Sequence, residues 1–275
     1  MVQQTHIRLN DGVQIPQIGL GVWQVDNGQA PKAVLTAIQA GYRSIDTAAI
    51  YGNEEGVGIG IRDAGVPREQ LFITTKLWND RHGAKNALKA FDESLKRLRL
   101  DYVDLYLVHW PTPRVNLYVE TWQALAEIKK SGRAKSVGVS NFKVPHLERL
   151  LGETGIVPSV NQIELHPRFQ QRAQRAFHAK HGITTESWSP LGQGRVMKDP
   201  VIGGIATTHG RTPAQVTLRW HIQNGLVAIP KSVTPARIRE NFDVFGFELT
   251  QDEMAKIAAL DNDRGRIGPD PDLFT

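Results

Sequence analysis

Asp46 and Tyr51 stand five residues apart in the stretch IDTAAIYGNEEGVGIG (45–60), Lys76 closes FITTK (72–76) and His109 closes VDLYLVH (103–109). A carboxylate, a phenol, an amine and an imidazole brought together describe a carbonyl-polarising site with a proton donor. The carboxylate would keep the amine charged in a partly dry pocket, where a lone lysine tends to lose its proton. The charged amine would then favour phenolate, because two charges ~4 Å apart interact by about 4 kcal/mol at an effective dielectric near 20. That would lower a tyrosine by up to roughly three units from its usual value near 10. A tyrosine so tuned is a better general acid near neutral pH, and the imidazole would hold the carbonyl oxygen by hydrogen bonding. None of the four groups supplies electrons, so a hydride donor must bind beside them. A structural ion pair capped by a histidine would leave the same residues in the sequence.

Short apolar runs alternating with amphipathic stretches must position these groups. After a hairpin (HIRL, Asn10-Asp11-Gly12, VQI), strands are expected over 18–22, 44–47, 72–76, 103–109, 135–141, 159–165, 183–188 and 226–230. Between them APKAVLTAIQA, AKNALKAFDESLKRL, VETWQALAEIKKSG and QRAQRAFHAKHG repeat apolar residues near i, i+3, i+4 and i+7. Strands alternating with helices imply a parallel sheet buried on both faces. The count in 275 residues fits a (β/α)₈ TIM barrel over 1–275, one domain, plugged by the N-terminal β-hairpin and carrying extra C-terminal helices. The region 200–223 holds two helical stretches, and the tail GRIGPDPDLFT reads as a loop. Sites of such barrels lie at the C-terminal strand ends, where Asp46, Lys76 and His109 come on neighbouring strands.

The glycines of GVGIG do not form a dinucleotide turn. They lie ten residues past the strand, inside the next helix, with the wrong spacing; close packing of that helix on the barrel is the expected role. A better anion site follows the last strand, in IPKSVTPARIRENF (229–242). Ser232, Thr234 and Pro235 suit a helix start, whose free N–H groups attract phosphate, and Lys231 and Arg237 add charge. A capped helix with solvated charges is the structural alternative.

Composition narrows the classes. Basic residues exceed acidic ones by five but are scattered, without aromatic interleaving, so nucleic acid is not the expected partner. No apolar run reaches the ~20 residues of a membrane span, and the opening MVQQTHIRLN lacks the apolar core of a leader. With no cysteine, a reducing cytoplasm is the expected setting. No metal-ligand motif is present: His178 and His181 read as a helix surface, and His-Glu-x-x-His is missing.

The motifs DTAAIYGNE, TTKLW, YLVHWP, GVSNF, NQIELHP and KSVTPARIRENF, in that order between about residues 5 and 265, resemble the aldo-keto reductase family. NEEGVG, ITTKLWNDRH and ESWSPLGQG are most similar to its bacterial 2,5-diketo-D-gluconate reductase branch. The resemblance implies a catalytic tetrad of Asp46, Tyr51, Lys76 and His109 and NADPH/NADP+ as cofactor, with hydride leaving the pro-R face of its ring. Trp188 would stack under the nicotinamide, and Ser140, Asn141 and Gln162 would hold its carboxamide. Leu191, Gln193 and Gly194 would line the pyrophosphate. Lys231, Ser232, Thr234 and Arg237 would grip the 2′-phosphate, with Glu240 and Asn241 near adenine and Ser189 and Val233 completing the contacts. Trp23, Trp78 and Trp110 would wall a pocket for a small carbonyl substrate, and the family leans to monomers. The stretch after Pro111 and the tail are short, so a more open pocket is expected. Glu164 and His166 are expected to be structural.

Rival readings use the same residues differently. Lys76 could form a Schiff base in a lyase, Glu164 and Glu186 could be a glycosidase pair, and the barrel could bind NADPH without turnover as a sensor or subunit.

Overall fold

A computed structural model describes residues 4–274. It opens with strands β1 (His6–Arg8) and β2 (Gln14–Pro16), paired antiparallel with Ile7 opposite Ile15. Gly12 turns the hairpin at φ +91°, a region glycine enters without a Cβ clash. Leu9 and Ile15 of this hairpin pack on Phe72, Leu105, Leu107, Val160 and Val227. The hairpin thus closes the end of the barrel where the strands begin.

Eight parallel strands follow: β3 (Leu20–Gly21), β4 (Ser44–Asp46), β5 (Phe72–Leu77), β6 (Val103–Val108), β7 (Ala134–Ser140), β8 (Val160–Glu164), β9 (Thr184–Trp188) and β10 (Val227–Ala228). They pair in chain order. Parallel bridges Ile18–Ala228 and Gly21–Lys231 join the last strand to the first, closing the barrel. Gly21 is needed at that seam, because a Cβ there would lie 2.8 Å from the Ile229 carbonyl oxygen.

Helices α1 (Ala30–Ala40), α2 (Glu54–Asp63), α3 (Ala84–Leu98), α4 (Tyr118–Lys130), α5 (Val144–Thr154) and α6 (Arg172–His181) each return the chain from one strand to the next. Two helices, α7 (Pro200–His209) and α8 (Pro213–Gln223), lie between β9 and β10, and α9 (Pro235–Phe242) and α10 (Gln251–Ala258) follow β10. The 3.6-residue period accounts for them: α3 buries Ala87, Ala90, Phe91, Ser94, Leu95 and Leu98 on one stripe. Asp199 caps α7, and Thr212 with Gln215 and Thr250 with Glu253 form capping boxes on α8 and α10.

Two expectations need correction. The glycines of α2 pack against neighbouring helices rather than the barrel: a Cβ on Gly56 would meet the Asn27 carbonyl at 2.2 Å, one on Gly58 the Leu98 carbonyl at 2.2 Å, and one on Gly60 Val34 at 2.7 Å. His178 is not a surface residue of α6. It is fully buried, its Nε2 2.9 Å from the amide nitrogens of Asn161 and Gln174, its Nδ1 2.8 Å from Thr185 Oγ1. Two amide donors make Nε2 the bare acceptor and put the ring proton on Nδ1.

Candidate active site

Asp46 ends β4, Lys76 is the last residue but one of β5 and His109 follows β6, and these strands are adjacent in the sheet. Tyr51 sits on a single 3₁₀ turn (Ala49–Tyr51) just beyond β4. That turn is fastened from below by Asn53, which is buried, accepts the Thr47 hydroxyl at 2.7 Å and donates to the Val22 and Val25 carbonyls at 2.9 Å. Glu54 next to it is also buried, accepting Thr75 Oγ1 at 2.6 Å and Arg97 Nε at 2.6 Å. The polar residues of GNE are therefore joints between α2 and the strands.

Lys76 has no exposed surface. Its Nζ donates to Asp46 Oδ1 at 2.6 Å and to the Thr47 carbonyl at 2.9 Å, and lies 5.1 Å from the centre of the Tyr51 ring. Burial works to strip its proton, but the Asp46 charge, Tyr51 and the Asp46 hydrogen bond outweigh it, and its pKa lies above the usual lysine value. The amine is therefore an ammonium at neutral pH, as expected. Tyr51 departs from expectation. Desolvation is the largest influence on it and exceeds the lowering by Lys76, while Asp46 adds to the rise, so its pKa lies above the ordinary phenol value rather than below. The Coulomb argument considered the ammonium alone and left out the dry surroundings and the carboxylate. His109 is held well below the usual imidazole range by burial and by Lys76, so the ring is neutral. It stands edge-on to Tyr51 (5.7 Å between ring centres) and Trp78 (5.1 Å), and its buried Nδ1 has no partner.

These groups open into a cavity of about 480 Å³ lined by Trp23, Trp78, Trp110, Asn141, Gln162, Trp188, Ser189, Gln193 and Lys231, among others. Among the described residues, four of the eight non-glycine residues with positive φ, Gln24, Asn141, Ser189 and Gln193, lie on its wall. Backbone held in this sparsely populated region collects where surrounding structure fixes a functional shape. A larger cleft of about 590 Å³ lies at the opposite end of the barrel, lined by Arg8, Arg172 and Arg175, and contains none of these groups.

Several polar residues of the mouth are tied to one another. Trp188 Nε1 donates to Asn141 Oδ1 at 2.8 Å, and Asn141 Nδ2 donates to the His109 carbonyl at 3.0 Å and to Ser140 Oγ at 3.0 Å. The Ser140 hydroxyl donates to the Gln162 carbonyl at 2.8 Å. Gln162 Nε2 donates to Asp46 Oδ2 and Glu186 Oε2, both at 2.9 Å. Leu191 is half-buried against the core, and Gly194 bends at φ +89° on the exposed rim. Beyond β10, Lys231, Val233, Thr234 and Arg237 are exposed, Ser232 is buried, and its Oγ accepts Thr234 N–H at 3.2 Å. Thr234 stands at the N-cap of α9 without capping it by its side chain. Lys231 and Arg237 meet no carboxylate among the described residues. Asn241 is buried, and Glu240 accepts the Thr212 hydroxyl at 2.8 Å.

Glu164 and His166 hold the tail. Glu164 accepts the Ile267 and Gly268 N–H groups at 2.6 and 2.8 Å, with His166 Nε2 at 3.2 Å. Lys143 reaches Asp270 at 2.5 Å and Asp272 at 2.6 Å, and Phe274 lies 4.4 Å from Trp110 and 6.1 Å from Trp78, ring to ring. The short tail is thus fastened across the mouth, and Phe274 joins the tryptophan wall. Its Gly/Pro composition announces a loop and carries no sign of where that loop docks. Glu186 is the other residue whose place the strand pattern concealed.

A closed eight-stranded parallel barrel thus carries these four groups at its mouth, where barrel enzymes place their sites. The chain belongs to the Aldo/keto reductase family, which residues 17–262 match. Methylglyoxal reductase DkgA of Escherichia coli is 55% identical over 276 residues, covering 100% of this chain and 99% of that protein. An aldo-keto reductase of Mycolicibacterium smegmatis is 57% identical over 268 residues, 98% of this chain and 97% of that protein. Among solved structures, apo Gox0644 superposes with a TM-score of 0.96 at 56% identity over 99% of both chains. A variant of Gox0644 in complex with NADPH matches with the same TM-score and identity.

Proposed function

We propose that this protein is an NADPH-dependent carbonyl reductase acting on small aldehydes and α-dicarbonyls, with Tyr51 as proton donor. The observation that carries the reading is the buried Lys76–Asp46 pair beneath Tyr51, beside a neutral His109 at the wall of an aromatic cavity.

The residues at the mouth fit the cofactor. Exposed, carboxylate-free Lys231 and Arg237 beside the uncapped first turn of α9 suit a dianionic phosphate, with Ser232, Val233 and Thr234 alongside. Asn141 and Gln162, with Ser140 bonded behind them, offer partners for an amide next to Trp188, whose ring offers a stacking face; Ser189 and Gln193 continue the wall, Leu191 and Gly194 flank Gln193 in the chain, and Glu240 and Asn241 lie farther along α9. NADPH, when bound, supplies the hydride. The protein's own part is polar. His109, uncharged, directs a ring nitrogen at the substrate oxygen. Tyr51 gives that oxygen its proton as negative charge develops on it. Lys76 stabilises the phenolate left behind, and Asp46 keeps Lys76 charged throughout. A phenol with a raised pKa in the empty site loses its proton only when a strong base, the nascent alkoxide, is presented, which suits a donor that must not ionise early. Trp23, Trp78, Trp110 and Phe274 favour compact, weakly hydrated substrates. The name of the Escherichia coli relative makes methylglyoxal a natural first substrate.

Lys76 has a charged amine held in two hydrogen bonds, which weakens the lyase reading, and the tail-binding role of Glu164 weakens the glycosidase one. NADPH oxidation against a panel of aldehydes and dicarbonyls tests the proposal. Turnover of methylglyoxal without borohydride-trapped adduct supports it. Tight NADPH binding without turnover of any substrate would mean a silent binder, and trapping on Lys76 would mean a lyase.

A further inference from the structure

Glu186 is 1% exposed, inside the barrel, paired in register with Gln162 on β8 and Val227 on β10. Its Oε2 accepts from Gln162 Nε2 at 2.9 Å, and its Oε1 is buried with no partner. The same Gln162 nitrogen donates to Asp46 Oδ2 at 2.9 Å, and Asp46 Oδ1 holds Lys76 Nζ at 2.6 Å. Both N–H bonds of one amide are therefore taken by two carboxyl groups. Turned over, the amide would face its carbonyl oxygen toward the Asp46 carboxylate. Its own Oε1, which has no protein donor among the described residues, is left for a donor from the cavity that Gln162 lines.

We propose that Glu186 is a positioning residue of this site: it clamps the Gln162 amide against Asp46, so that the amide oxygen faces the cavity, and its charge state sets the strength of Tyr51 as a proton donor. The proposal rests on the carbonyl-reductase reading. The charged or titratable groups that face Glu186 are Asp46 from β4, Lys76 from β5 and Tyr51 from the turn after β4. Gln162 and Val227, its partners in register, do not titrate. Two carboxylates would share one ammonium in a dry interior, an unfavourable count of charge. Burial, then the Asp46 charge, push the Glu186 pKa up to about 8. At neutral pH it is a neutral acid, able to stand beside Asp46 without repulsion. Above that pH it becomes a second anion, which holds the proton more tightly on Tyr51, and the tyrosine becomes a weaker acid.

Two arms test this. In the ligand-free protein, infrared spectra near neutral pH should contain the carbonyl stretch of a neutral carboxylic acid. It should fade as pH passes through about 8 and be missing in Glu186→Gln. No such band in the wild type would overturn the proposal whatever the activity is. In the second arm, Glu186→Gln, an uncharged isostere, should abolish the decline of kcat above about pH 8, while Glu186→Ala, which frees one Gln162 N–H, should weaken NADPH about tenfold. An alkaline limb unchanged in Glu186→Gln, or unaltered NADPH affinity in Glu186→Ala, would contradict it. Absence of turnover in the wild type counts against the carbonyl-reductase reading and leaves the infrared arm to decide.

Discussion

Replacing Lys76 by Met would strand Asp46 as an unpaired anion in a dry barrel. Breaking a buried pair in this way costs about 3–5 kcal/mol, so Lys76→Met should unfold at markedly lower denaturant. Losing both residues together, as in Lys76→Met with Asp46→Leu, should cost less than the sum of the two single changes. Equal costs would mean the pair is no more than a surface-like contact. The four residues of the proposed site were legible as candidates because each ends or closely follows an apolar run, where a polar side chain has a reason to leave the core. Glu186 was not, because within TTESW nothing marks which face of the strand looks into the barrel. The direction of the Tyr51 shift was also illegible: it depends on desolvation, which the spacing of residues in the chain does not give.

Helix α2 tests packing against propensity. Alanine for glycine in a helix should stabilise by about 1 kcal/mol, yet a Cβ on Gly58 would stand 2.2 Å from a carbonyl oxygen at the end of α3. Gly58→Ala should therefore lower the melting temperature, whereas the same change at Gly204 in α7, where a Cβ meets nothing within 4 Å, should raise it. The apolar period and the Gly and Pro punctuation gave α1 and α3 residue for residue. What that period lacks is the identity of the neighbour, so the glycines read as barrel contacts when they are helix contacts. The loop after β10 allows a cleaner prediction of function. Arg237→Met should weaken NADPH at least tenfold and leave NADH nearly unchanged, through loss of a guanidinium that matches a phosphate. Equal losses for both cofactors, measured by fluorescence titration, would remove Arg237 from phosphate recognition.

At the scale of the molecule, buried histidines make the fold acid-sensitive. Burial pushes the pKa of His82 down to about 4 and those of His178 and His221 down to about 3. Above about pH 6.5 they are neutral whether the chain is folded or not. Below it the unfolded chain takes up protons that the folded one refuses, so stability falls with pH until the folded values are reached, by up to about 1.4 kcal/mol per pH unit for each histidine. His178→Gln should blunt this loss between neutral pH and the low folded value, since a glutamine amide can meet Asn161 or Thr185 without titrating. An unchanged acid limb in thermal melts would exclude His178 as a contributor. Barrel closure follows from strand count and alternation, and so it was readable from the chain. The seating of the tail over the mouth was not, since it depends on Glu164, Lys143 and Trp110, which lie more than a hundred residues upstream.

Tyr51→Phe removes one hydroxyl and keeps the ring against Lys76 and His109. With methylglyoxal as substrate, NADPH oxidation by this variant should fall by about 10²–10⁴-fold relative to wild type, while NADPH titrated into the same preparation binds as before. Turnover at the wild-type rate would contradict the assignment of Tyr51 as the proton donor.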